Sequence, residues 1–225
     1  MKIAIIGATG IVGSKMLQVL EEQNLNPDEL ILAASRRSRG RNIKWKGQKL
    51  RVQRVEDALE EKPDIALFSA GGATSREWAK SFTEAGCTLI DNSSAWRMEN
   101  DVKLIVPEVN GGILTKEDKL ISNPNCSTIQ LVHVLGPLHK AYGLERVVVS
   151  TYQSVTGSGL KGIAQLDVER SGDSAQDPAY PHPIDLNCLP HGGEFDENGY
   201  TSEEMKLVNE SRKILSLPDL KITGT

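Results

Sequence analysis

The chain has 225 residues, 39% of them hydrophobic and 25% charged, with a net charge of -4, enough to bury a core in one large domain or two modest ones. The acidic balance argues against non-specific nucleic-acid binding, no run of about 18 apolar residues offers a membrane span, and the apolar stretch Ile3–Ile6 is too short for a secretion signal. Three cysteines, Cys87, Cys126 and Cys188, make no paired framework and lack metal-ligand spacing, so a reducing, cytoplasmic setting without a metal is expected.

The first thirteen residues carry a short apolar strand straight into Gly7, Gly10 and Gly13, spaced G-x-x-G-x-x-G. Gly7 permits a tight turn and Gly10 lets the backbone approach a pyrophosphate. Gly13 allows close helix packing, and the following helix, with Met16, Leu17 and Leu20 inward, presents its N-terminus to the anion. An ordinary strand–helix turn is the plainer alternative. A second strand over 29–34 ends at Ser35-Arg36-Arg37-Ser38-Arg39-Gly40-Arg41, where an NAD site would place an acid for the ribose 2′-hydroxyl. Guanidinium and hydroxyl groups there suit a 2′-phosphate, so NADP is preferred over NAD. A solvated basic loop is the competing account. A nucleic-acid patch extended by Lys44, Trp45 and Lys46 is the weakest of the three.

Next come an apolar strand over 64–69 ending at Ala70-Gly71-Gly72, a helix carrying Trp78, Ala79, Phe82 and Ala85, and a strand from Thr88 that ends at Asp91-Asn92-Ser93-Ser94. This alternation predicts an α/β fold with a doubly wound parallel sheet. After the short strand Leu120-Ile121, Pro124 suits a bend and Asn125 a helix N-cap, with helical apolar spacing from Ser127 to His139. Cys126 then sits in the first helical turn, where unpaired N–H groups and the helix dipole favour a thiolate nucleophile. A small buried side chain is the alternative. A β-branched strand over 146–152, a Gly/Ser loop and a helical stretch to Glu169 follow. Proline-rich loops over 171–200 lead to a helix from Ser202 to Leu215. The division between two domains is expected near Thr128, giving 1–127 and 128–225.

The stretches G-A-T-G-I-V-G, A-L-F-S-A-G-G, D-N-S-S-A-W-R, V-P-E-V-N, S-N-P-N-C-S-T-I-Q, V-S-T-Y-Q-S-V-T-G-S-G and Y-T-S-E-E-M-K resemble, in the same order, the aspartate-semialdehyde dehydrogenases. The resemblance covers the whole chain. It implies a Rossmann-like NADP-binding domain followed by an α+β substrate and dimerisation domain, and a homodimer. The implied reaction is NADPH-dependent reductive dephosphorylation of L-aspartyl-4-phosphate to aspartate 4-semialdehyde, with release of inorganic phosphate, on the way to lysine, methionine and threonine. The resemblance makes Cys126 the acyl-carrying nucleophile, Gln153 the residue that orients substrate, and Arg97 the arm that receives the substrate phosphate. Glu203 meets the substrate amino group and Lys206 the phosphate. Gly7, Thr9, Gly10, Ile11, Val12, Ser35, Arg37, Ser38, Thr156 and Gly157 fall where the family contacts NADP. On residue pattern alone Arg97 reads as exposed surface, and Glu203 and Lys206 as an ordinary helical ion pair.

One element of the family pattern has no counterpart. A histidine in a G-H-S-like motif and a carboxylate-binding arginine are implied after a segment like Lys221–Thr225, and none of His133, His139, His182 and His191 stands in such a motif. His191 is a candidate substitute base; His133, nearly two helical turns beyond Cys126, reads as a surface or packing residue. The second domain is therefore expected to be incomplete relative to the family, leaving apolar surface uncovered. Two alternatives stay open: N-acetyl-γ-glutamyl-phosphate reductase, whose cysteine stands in a G-C-Y-P-T-like setting, and a noncatalytic NADP-binding module.

Overall fold

The computed structural model describes residues 1–190 and 192–225, so His191 lies outside the described residues. Its main sheet is built from β1 (Lys2–Ile6), β2 (Glu29–Ala33), β5 (Ile65–Phe68), β6 (Thr88–Asp91), β7 (Lys103–Leu104) and β8 (Leu120–Ser122). The strands lie in the order β2-β1-β5-β6-β8-β7, each pair parallel. Parallel strands need crossovers that cover both faces, so β1, β2 and β5 carry continuous apolar runs, Ile3–Ile6, Leu30–Ala33 and Ile65–Phe68, rather than alternating. On one face Ile3 and Ile5 of β1 pack with Leu17 and Leu20 of α1 (Ile11–Glu22). On the other, Ala4 and Ile6 join Val55 and Ala58 of α2 (Val55–Glu60) and Ala79 and Phe82 of α3 (Gly72–Glu84). Phe82 meets Phe68 edge to face, centroids 5.2 Å apart.

The chain leaves β1 toward β2 on one side and reaches β5 on the other, so the carboxyl ends of β1 and β5 flank the switch point where α/β sheets bind ligands. The two loops there nearly touch. A Cβ on Gly7 would lie 2.3 Å from the Ser69 carbonyl oxygen, and one on Gly13 would lie 2.2 Å from the Gly7 carbonyl oxygen.

A second unit is organised around α5 (Cys126–Tyr142), α6 (Gly159–Arg170), α7 (Ser202–Leu215) and a parallel pair, β9 (Arg146–Val149) with β10 (Lys221–Gly224). Leu135, Val147, Val208, Leu220 and Ile222 form its core. Val132 of α5 and Ile214 of α7 pack instead with Leu104 and Val106, which joins the unit to the edge of the main sheet. No residue of α7 is fully exposed, although the helix carries three glutamates, two lysines and an arginine. Helix α5 runs longer than its apolar spacing indicates, through Pro137. The hydrogen bond that proline forfeits belongs to the carbonyl of His133, a residue exposed to solvent.

Strand β9 stops at Val149, short of the expected Tyr152. Thr225 N donates to the Val149 carbonyl and Thr151 N to that of Thr225, after which the segment carrying Gln153 leaves the sheet. The hairpin β3 (Asn42–Trp45) and β4 (Gln48–Arg51) and the short α4 (Pro107–Asn110) were not expected. Trp45, read as part of a basic patch, donates its indole N–H to the Leu17 carbonyl at 3.1 Å and packs beside the α1 core. Between α6 and α7 the chain is held by side chains of α6. Gln165 Oε1 accepts from the backbone N–H of Ala179 and Tyr180, and Glu169 Oε2 from those of Ile184 and Asp185.

One face of α1, with Val12 and Val19 exposed, lines an almost wholly apolar groove of about 230 Å³ with Met16, Leu20 and Leu67. Among the described residues no helix is long and apolar enough to cross a membrane, and no cluster of His, Cys, Asp or Glu is placed to hold a metal ion.

Candidate active site

Cys126 is the first residue of α5, free and exposed. It owes that position to Asn125, whose side-chain oxygen accepts from Ser127 N at 3.0 Å and Thr128 N at 3.4 Å, satisfying two of the helix's orphan donors. Asn125 does more than cap. Its Nδ2 donates to Glu203 Oε2 at 2.8 Å, and its backbone N–H donates to Glu210 Oε2 at 2.7 Å. Two residues earlier, Asn123 Nδ2 donates to Asn92 Oδ1 at 2.7 Å, tying the loop after β8 to the loop after β6.

Arg97 is not the exposed arginine that its local pattern suggests. It is 7% exposed. One terminal nitrogen donates to Glu210 Oε1 at 3.0 Å and the other to the Asn92 carbonyl at 2.9 Å, while Nε is buried with no partner among the described residues. Pattern reading fails here because Arg97 follows a Ser-rich loop, and its carboxylate partner Glu210 arrives on α7 from more than a hundred residues away. Lys213 of α7 closes the same loop, its ammonium donating to the carbonyls of Arg97, Glu99 and Val102 at 2.8, 2.6 and 2.8 Å. Burial pushes the Lys213 pKa down.

Glu203 and Lys206 do form an ion pair, but Glu203 is also bound to the N-cap of the cysteine helix, so the pair is not an idle surface contact. Arg97, Lys206 and Glu210 line one cavity of about 220 Å³ with Ser94, Asp196 and Asn209. Gln153, exposed after β9, has its Oε1 3.5 Å from the hydroxyl of Ser127, the residue after the cysteine. Thr156 and Gly157 lie in a 3-10 turn, Val155–Ser158, just after Gln153, and a Cβ at 157 would lie 1.9 Å from Gln153 Nε2.

Cys126, Gln153, Arg97, Glu203 and Lys206 are thus connected through Ser127, Asn125 and Glu210. The connecting residues are those that motif reading passed over. Glu210 had a legible signal: it follows Glu203 and Lys206 by seven and four residues, on one stripe of the helix. His133 is exposed with Nε2 3.5 Å from Glu108. Cys87 is buried, and desolvation pushes its thiol pKa from an ordinary 9.0 to about 11.

Gly7, Thr9, Gly10, Ile11 and Val12 form the β1–α1 turn, and Gly10 at the N-cap supplies no side-chain cap. Helix α3 likewise starts from Gly71, at φ +86°, with no side-chain cap. Two uncapped helix starts at the switch point leave N–H groups directed to an anion. Ser35, Arg37 and Ser38 lie at the 3-10 turn after β2, and Thr9 Oγ1 donates to Ser38 Oγ at 3.3 Å. These residues fit a dinucleotide: bare helix starts for its pyrophosphate and a basic turn for its ribose end.

Residues 2–116 match the model for the semialdehyde dehydrogenase NAD-binding domain, and residues 135–225 that for the semialdehyde dehydrogenase dimerisation domain. A protein of Aquifex aeolicus named aspartate-semialdehyde dehydrogenase is 47% identical over 232 residues, covering 100% of this chain and 68% of the relative. The crystal structure of aspartate semialdehyde dehydrogenase II of Vibrio cholerae complexed with ASA superposes with a TM-score of 0.93 at 43% identity, covering 100% of this chain and 68% of that one. The Candida albicans enzyme with NADP superposes at 0.68 with 25% identity, covering 99% and 66%.

Proposed function

Because the chain belongs to the aspartate-semialdehyde dehydrogenase family, we propose that it carries out the acyl-transfer chemistry of that family on Cys126, with L-aspartyl-4-phosphate as substrate and NADP as cofactor. The observation that carries this reading is the chain of contacts from the helix start bearing Cys126, through Asn125, to Glu203 and to the Glu210–Arg97 pair.

The Cys126 thiolate attacks the acyl phosphate carbon, forming a C–S bond as the C–O bond to phosphate breaks, and inorganic phosphate leaves with the electron pair. Arg97 and Lys206, facing one cavity, receive the phosphate. A planar fork of donors suits it. Glu203 receives the substrate ammonium, and Gln153 sets the acyl group against the thiol. Gly7, Thr9, Gly10, Ile11, Val12, Ser35, Arg37 and Ser38 with Thr156 and Gly157 would hold NADP, which when bound would supply the hydride that reduces the thioester. Cys126 then leaves as thiolate, freeing the semialdehyde. The basic turn 35–41 favours NADP over NAD. We place the product in lysine, methionine and threonine synthesis and the enzyme in the cytoplasm, as a homodimer formed through the dimerisation domain. We keep the division between the two domains at 127/128, in the first turn of α5.

The test is a single turnover. The 225-residue chain given L-aspartyl-4-phosphate should release about one phosphate per chain and carry the acyl mass on Cys126, and Cys126→Ser should do neither. NADPH binding without phosphate release would make the chain a noncatalytic nucleotide-binding module. Faster release from N-acetyl-γ-glutamyl phosphate would assign it to the other reductase. Iodoacetamide at neutral pH should label Cys126 and spare Cys87, which is buried as a thiol.

A further inference from the structure

We propose that Glu210 is a positioning residue, holding the anion-binding guanidinium and the nucleophile-bearing turn in register with each other. This rests on the roles of Arg97 and Cys126 given above. Glu210 is 2% exposed, and each carboxylate oxygen has a separate task. Oε1 accepts from Arg97 at 3.0 Å and Oε2 from the backbone N–H of Asn125 at 2.7 Å. The two donors come from different loops, 113 and 85 residues away in the chain. One carries the phosphate arm, and the other immediately precedes the cysteine.

A pair that served only to seat α7 would need a single donor, and Lys213 already ties that helix to the Arg97 loop through three carbonyls. Glu210 adds orientation. With one terminal nitrogen on Glu210 and the other on the Asn92 carbonyl, the guanidinium plane is fixed. Each terminal nitrogen keeps a second proton for an anion in the cavity that Arg97, Lys206 and Glu210 line. The same carboxylate fixes the peptide plane entering Asn125, and so the direction in which Cys126 leaves the helix start. With its two oxygens committed to Arg97 and to the Asn125 N–H, Glu210 acts through those two groups.

The probe is inorganic phosphate, read by its protection of Cys126 against iodoacetamide. This needs no turnover, and its midpoint does not depend on the active fraction. Glu210→Asp keeps the charge and shortens the reach by one methylene, so both donors cannot be held. The phosphate midpoint should rise at least about tenfold, and Arg97→Lys combined with Glu210→Asp should raise it no further than Arg97→Lys alone, because coupled residues are non-additive. If Glu210 merely filled space or seated α7, the melting temperature would fall while the midpoint stayed put, and that result overturns the proposal. Should Glu210→Asp not fold, Glu210→Gln keeps the length but cannot accept at both atoms. A tenfold rise is again expected, and an unchanged or lowered midpoint again overturns it. Failure of phosphate to protect the unmodified chain would remove the phosphate role of Arg97, and the proposal with it. Full protection there with undiminished protection in the Asp variant would remove the proposal alone.

Discussion

At the residue scale, Gly157 limits where Gln153 can be. The amide of Gln153 occupies the space a Cβ at 157 would need, 1.9 Å from Nε2. Glycine is required there for close approach, not for a left-handed backbone. Gly157→Ala should displace a flexible amide rather than any backbone, so its melting temperature should stay near that of the parent. Phosphate release should slow roughly tenfold to a hundredfold, the scale on which a displacement of about 1 Å acts. A parent-like rate would detach Gln153 from substrate orientation. Cys126 and its cap were legible because the cap, the bend and the thiol are consecutive. Arg97 was not, since its partners, Asn92 aside, are supplied by a helix distant in the chain, and local pattern has no access to such partners.

At the element scale, the β1–α1 turn separates two kinds of glycine. A Cβ on Gly13 would press on the Gly7 carbonyl oxygen at 2.2 Å and Ala8 Cα at 2.8 Å, both backbone, whereas one on Gly10 would meet the Gly7 oxygen at 3.4 Å. Gly13→Ala should therefore cost about 1–3 kcal/mol or more in urea unfolding, as overpacking does. Gly10→Ala should fold nearly as the parent while binding NADPH less tightly. Equal unfolding midpoints for the two would contradict this geometry. The apolar strands β1, β2 and β5 were legible because burial on both faces makes them continuous in hydrophobicity. Hairpin β3–β4 escaped because its strands are four residues each and largely polar. Its turn, Lys46-Gly47, reaches φ +44° and +80° with a lysine where asparagine is the usual signal.

At the scale of the whole molecule, α7 joins the two units. Leu207, Val208 and Ile214 are buried in its packing, Glu203 and Glu210 reach the cysteine turn, and Lys213 holds the loop from Arg97 to Val102. Lys213→Met removes three charge-assisted hydrogen bonds and leaves three carbonyls without that donor. We expect a loss of about 2–4 kcal/mol in urea unfolding, with a weaker phosphate midpoint at Cys126 because Arg97 sits on the released loop. Unfolding within about 0.5 kcal/mol of the parent would mean that water replaces the ammonium at no cost.

The absence of any fully exposed residue along α7 bears on how this protein tolerates change. By composition the helix is one that drifts freely, because solvated charge can usually be exchanged for other solvated charge. Here the charged side chains are half-buried or, at Glu210, buried, so a Glu-for-Lys or Lys-for-Arg swap that looks silent in the sequence disturbs packed contacts. Variation should therefore be scarcer across this charged helix than along the apolar outer face of α1, reversing the order that hydropathy alone would assign.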